Sequence, residues 1–117
     1  MHDLSLADLQ KVIRKFCDDR NWDQFHNGKD LSISLSLEAA ELLEHFQWKN
    51  EEEVAKHLAE QKPEVASELA DVLYWVLLIA NKFDINLVDA FTAKMTKNEL
   101  KYPVDKASGN HKKYTEL

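Results

Sequence analysis

The chain has 117 residues, 44% of them hydrophobic, and a formal net charge of −6 at pH 7. That length holds one modest core, and the acidic balance excludes the broad basic footprint of a nucleic-acid binder. One cysteine, Cys17, excludes an internal disulfide framework, and two glycines with two prolines favour long helices over a many-turned β fold.

Along the chain, Ser5 with Asp8 three residues later has the pattern of a helix start. Leu6, Leu9, Val12, Ile13 and Phe16 continue it as a helical stripe to about Arg20. The segment Asn21 to Asp30, "NWDQFHNGKD", breaks the period and reads as a loop. A second helix is expected from about Asp30 to Gln47. Asn50 then caps a short acidic helix, where Glu51, Glu52 and Glu53 suit the positive pole and stay solvated. Pro63 suits the first turn of a third helix running to about Phe83. Asn86 caps a fourth from Leu87 to about Lys101, stopped by Pro103.

These elements predict an all-α four-helix bundle, with residues 1–103 as one domain and 104–117 as an irregular tail. The opening "MHDLSLADLQ" lacks the charged end and apolar centre of a signal peptide. The most apolar run, "VLYWVLLIA", is too short to span a bilayer. The expectation is a cytoplasmic protein with no membrane partner and no nucleic-acid partner.

Chemistry concentrates in two carboxylate pairs. Glu38 and Glu41 are three residues apart on the second helix, so they leave it about 60° apart around the axis. Glu68 and Asp71 repeat that spacing on the third helix. A single E-x-x-E is common on a solvated face. Two pairs on adjacent helices, each beside an apolar stripe, would instead converge, and four converging acids repel unless a cation sits among them. Mg²⁺ is the hard ion that takes carboxylate oxygens and leaves positions for water and phosphate. Glu44 continues the row and suits either reading. A di-iron centre calls for E-x-x-H motifs, which neither His45 nor His57 completes. Zinc is disfavoured by the lone cysteine and the absence of histidines close in sequence.

The order E-x-x-E, gap, E-x-x-D resembles the signature of the all-α nucleoside triphosphate pyrophosphohydrolases, the MazG-like superfamily. "RNWDQFH", "EAAELLEHFQW", "ELADVLYW", "KMTKNELKYP" and the terminal "KYTEL" are similar to its dCTP pyrophosphatase branch. The resemblance implies Mg²⁺-dependent hydrolysis of a nucleoside triphosphate to monophosphate and pyrophosphate, with Glu38, Glu41, Glu68 and Asp71 as metal ligands. It also implies dCTP or a modified cytosine nucleotide as substrate, and a homotetramer built from dimers. Trp22, Phe25, His26, Trp48 and Trp75 would line the nucleotide pocket, while Lys94, Asn98, Lys101 and Tyr102 would face phosphate. Trp75 stands where related chains carry a tyrosine, and Ile13 where some carry a histidine. The physics fits: aromatic rings stack bases, and Lys94, Asn98 and Lys101 share a helical face. Two other readings stay open: a phosphoribosyl-ATP pyrophosphohydrolase, and a non-enzymatic helical interaction module with an acidic groove.

Overall fold

The computed structural model describes residues 3–117, which form helices joined by short links, with no strand among the described residues. Helix α1 spans Leu6–Asp19 and opens on the expected capping box. The Ser5 hydroxyl accepts from the Asp8 N–H at 3.1 Å, and the Asp8 carboxylate accepts from the Ser5 N–H at 2.9 Å. Asn21, with φ 56°, turns the chain out of α1, and a 3-10 turn at Asp23–Phe25 leads onward. Helix α2 spans Gly28–Glu44 under an Asn27 cap. Its first residue is glycine for a local reason: a Cβ there would meet the Phe83 ring at 3.1 Å.

Helix α3 runs from Glu51 to Lys82 and merges the two helices expected either side of Pro63. The break survives at Gln61, whose φ −122° and ψ 22° leave helical geometry two residues before the proline. Proline has no N–H to give and its ring crowds the preceding turn, so the helix kinks there. Helix α4, Leu87–Lys101, has the expected bounds and the Asn86 cap. The stretch expected to be an irregular tail needs correcting. It carries a one-turn helix α5 at Val104–Ala107 and a 3-10 turn at Tyr114–Glu116. Pro103, fixed at φ −61°, starts α5.

Two compact units result, one ending at Ile85 and one from Asn86 to Leu117. The division places α4 with the tail, where the sequence reading drew its line at residue 103. In the first unit α3 packs against both α1 and α2. Its core is Ile13 and Cys17 from α1, Leu31 from α2, and Val65, Leu77, Leu78 and Ala80 from α3. Leu31 and Leu77 are essentially excluded from solvent, and burying each contributes about 1.5–3 kcal/mol. A polar tie reinforces the α1–α3 contact: Gln10 Nε2 donates to Asn81 Oδ1 at 3.1 Å, and Asn81 Nδ2 donates to the Gln10 carbonyl at 2.8 Å. Among the described residues no helix is long and apolar enough to cross a membrane.

Candidate metal and nucleotide site

Packing α2 along α3 brings Glu38, Glu41 and Glu68 together, each offering one oxygen within 4.8 Å of the others. Glu38 and Glu68 are half-buried and Glu41 is exposed. The Oε2 atoms of Glu38 and Glu68 are buried with no hydrogen-bond partner. A buried carboxylate oxygen without a donor is costly, and a cation is the group that removes the cost. Removal of the Glu38 carboxyl from solvent holds its pKa above the ordinary value of 4.5. The proximity and charge of Glu41 and the charge of Asp71 push the same way, while Trp75 opposes them. The donor set is all carboxylate, as a hard divalent ion requires.

Three of the four expected ligands therefore meet. Asp71, one turn beyond Glu68, is exposed and stands outside the trio, although its charge reaches Glu38. Glu44 closes α2, exposed and likewise outside.

The expected aromatic residues take different places. Trp75 is half-buried and meets Tyr74 edge-to-face, with centroids 5.1 Å apart. Tyr74 meets Phe16 at 6.2 Å, and Phe16 meets Trp22 at 5.5 Å, both edge-on. The Arg20 guanidinium lies 3.8 Å from the Phe16 ring centre. An unbroken row of rings thus runs from Trp22 in the loop to Trp75 beside Glu38. Burial, with the Cys17 sulfur 3.9 Å from its hydroxyl, pushes the Tyr74 phenol up to about 12, so it stays protonated at neutral pH. Phe25 and Trp48 project from the unit, Trp48 with 90% of its surface exposed and φ 69°. Within one chain Trp48 is left unpacked.

His26 lines a small cavity of about 30 Å³ with Ile13, Arg14, Cys17, Leu78 and Asn81. That volume holds about two waters. Sequence reasoning missed Arg14 and Asn81 here. The available signal was Asn81 itself, an amide closing the apolar run "VLLIAN".

In the second unit, Lys94, Asn98 and Lys101 recur at helical spacing along α4. The Lys101 ammonium lies 4.7 Å from the Tyr114 ring centre, and Tyr102 meets Tyr114 edge-on at 6.1 Å. The Asn98 amide reaches the Met95 sulfur at 3.8 Å.

The MazG-like family matches residues 33–117, a span that holds both carboxylate pairs. The chain belongs to the MazG-like family. Among curated proteins, this MazG-like chain is 35% identical over 115 residues to dCTP pyrophosphatase 1 of Rattus norvegicus and 33% identical to that of Homo sapiens. Each alignment covers 97% of the chain and 68% of the relative. Among solved structures, a pyrophosphatase from Archaeoglobus fulgidus superposes with a TM-score of 0.79 at 41% identity, covering 88% of this chain and 96% of that one. The all-α fold expected from the sequence is the MazG-like one.

Proposed function

We propose that this protein hydrolyses nucleoside triphosphates, foremost dCTP or a modified cytosine deoxynucleotide, to the monophosphate and pyrophosphate. The carboxylate trio carries the reading, because the buried oxygens of Glu38 and Glu68 lack any other partner. The name shared by its curated relatives supports dCTP as substrate. Mg²⁺ is the ion we assign to Glu38, Glu41 and Glu68, with Asp71 as a fourth ligand. When bound, it supplies neutralisation of triphosphate charge and Lewis-acid activation of water.

The protein's own groups do the rest. Glu41, the exposed member of the trio, orients the attacking water and accepts its proton. The water oxygen forms the new bond to phosphorus, the α–β phosphoanhydride bond breaks, and pyrophosphate leaves; the second unit, taken by itself, offers the Lys94 and Lys101 ammoniums as phosphate-binding groups. In the first unit Trp22, Phe25, Trp48 and Trp75 offer rings for a base and His26 a hydrogen bond; in the second, Asn98 and Tyr102 offer hydrogen bonds. The protein works on cytoplasmic nucleotides as a homotetramer, a dimer of dimers. Ile33 and Leu37 on α2, with Leu69 and Leu73 on α3, support assembly: each is between 40% and 61% exposed and spaced one turn from its neighbour.

The test is pyrophosphate release from a panel of deoxy- and ribonucleotides plus phosphoribosyl-ATP, with Mg²⁺ present. dCTP is expected to lead, and Glu38→Gln or Asp71→Asn to abolish turnover with helical content intact. Near-normal activity in either variant would break the ligand assignment. Failure of the wild type to bind nucleotide or Mg²⁺ in calorimetry would favour the interaction module. A monomer by light scattering would refute the assembly.

A further inference from the structure

His45 and His57 take no part in the reaction above, yet the fold brings them together. His45 is the C-cap residue of α2 and His57 lies two turns into α3. Nδ1 of His45 is 2.8 Å from Nε2 of His57, with ring centroids 5.1 Å apart and planes inclined by 46°. Both rings are half-buried. The sequence separates them by 12 positions, so no motif announces the pair.

At that distance one nitrogen holds a hydrogen and the other offers its lone pair. If the shared hydrogen sits instead on the outer nitrogen of its own ring, both imidazoles remain neutral and the two inner lone pairs face each other. Two nitrogens bound at about 2.0–2.1 Å to one tetrahedral ion lie roughly 3.3 Å apart. To hold such an ion the rings part by about half an ångström and turn so that both lone pairs meet it off the line between the nitrogens. They are held on separate segments, so the fold brings the two nitrogens close before any ion arrives. A second feature favours positive charge here. The His45 N–H points back to the carbonyls of Leu42 and Leu43 at the end of α2, the negative pole of that helix.

We propose that His45 Nδ1 and His57 Nε2 form a two-imidazole site for a borderline divalent transition-metal ion of the Zn²⁺ type, separate in ligands and ion preference from the carboxylate trio. Imidazole nitrogen selects zinc, copper and nickel, whereas Mg²⁺ prefers oxygen. Water completes the coordination. The ion clips the turn between α2 and α3, which carries Trp48, onto the body of α3. Occupancy therefore changes the freedom of an aromatic residue assigned to the nucleotide, although the site itself does not depend on that assignment.

The experiment titrates Zn²⁺ into full-length protein held in saturating Mg²⁺, read by calorimetry and thermal melting. Wild type is expected to bind with micromolar affinity and to melt higher. Both His45→Asn and His57→Asn are expected to weaken that binding at least tenfold. Glu68→Gln, which damages the carboxylate trio, is expected to retain it. Cu²⁺ added to wild type should show two coordinated imidazole nitrogens in its electron paramagnetic resonance spectrum, and one in either histidine variant. Absence of Zn²⁺ binding by wild type overturns the proposal whatever the variants do. Equal binding by wild type and both histidine variants, or loss of binding in Glu68→Gln alone, overturns it as well.

Discussion

Replacing Glu68 by glutamine removes one negative charge from the trio while keeping its shape. In metal-free protein that charge faces two carboxylates with oxygens within 4.8 Å. Each such pair repels by roughly 0.9 kcal/mol in water-like surroundings, and by more where solvent is thinner. Glu68 also has a buried oxygen with no donor. The substitution should therefore stabilise the metal-free chain by about 2 kcal/mol, which for a domain of this size raises Tm by roughly 8 °C. With saturating Mg²⁺ the order should reverse, because only wild type gains the binding energy of the ion. The assay is thermal melting of both proteins at one fixed concentration, in chelator and in Mg²⁺, followed by single-turnover hydrolysis of dCTP. A variant that melts lower than wild type in chelator would refute the crowded-charge account. Equal Mg²⁺ stabilisation of both would show that Glu68 holds no ion.

Glu38 gives a pH dependence of definite sign. Its folded pKa lies above the ordinary 4.5, so the folded chain holds this proton more firmly than the unfolded chain does. The stability it contributes is present below about 4.5 and lost as pH rises through the raised folded value. Metal-free wild type, compared with Glu38→Gln, should lose stability on passing upward through that window, and a flat difference between them would contradict the burial of this carboxyl. Asn81→Leu breaks both amide bonds to Gln10 and should cost about 1–3 kcal/mol, read as a lower urea midpoint at unchanged slope; an unaltered midpoint would make the tie ornamental. Tyr114→Ala frees the Lys101 ammonium and should raise KM for dCTP about two- to fivefold with kcat nearly constant. The same change in a Lys101→Ala background should add nothing; a further loss there would mean that Tyr114 acts by another route.

Much of the fold was legible because helix boundaries are local events. Ser5 with Asp8, Asn50 with Glu53, and Asn86 each satisfy free N–H groups within a few residues, so the chain reports them directly. The apolar period marked α1, and Pro63 marked the break in α3. The one-turn helix after Pro103 escaped because four residues are too few to show a period.

The candidate site divides along the same line. Spacing on one helix determined that Glu38 pairs with Glu41, and Glu68 with Asp71, because helical geometry fixes which side chains share a face. Which members meet across helices depends on the rotation of α2 against α3, and that rotation is set by core packing around Leu31 and Leu77. Only the tertiary structure could gather Glu38, Glu41 and Glu68 while leaving Asp71 exposed. It alone could bring His45 and His57 into contact. Sequence determines what each helix offers; the packing between helices decides which of those groups share a space.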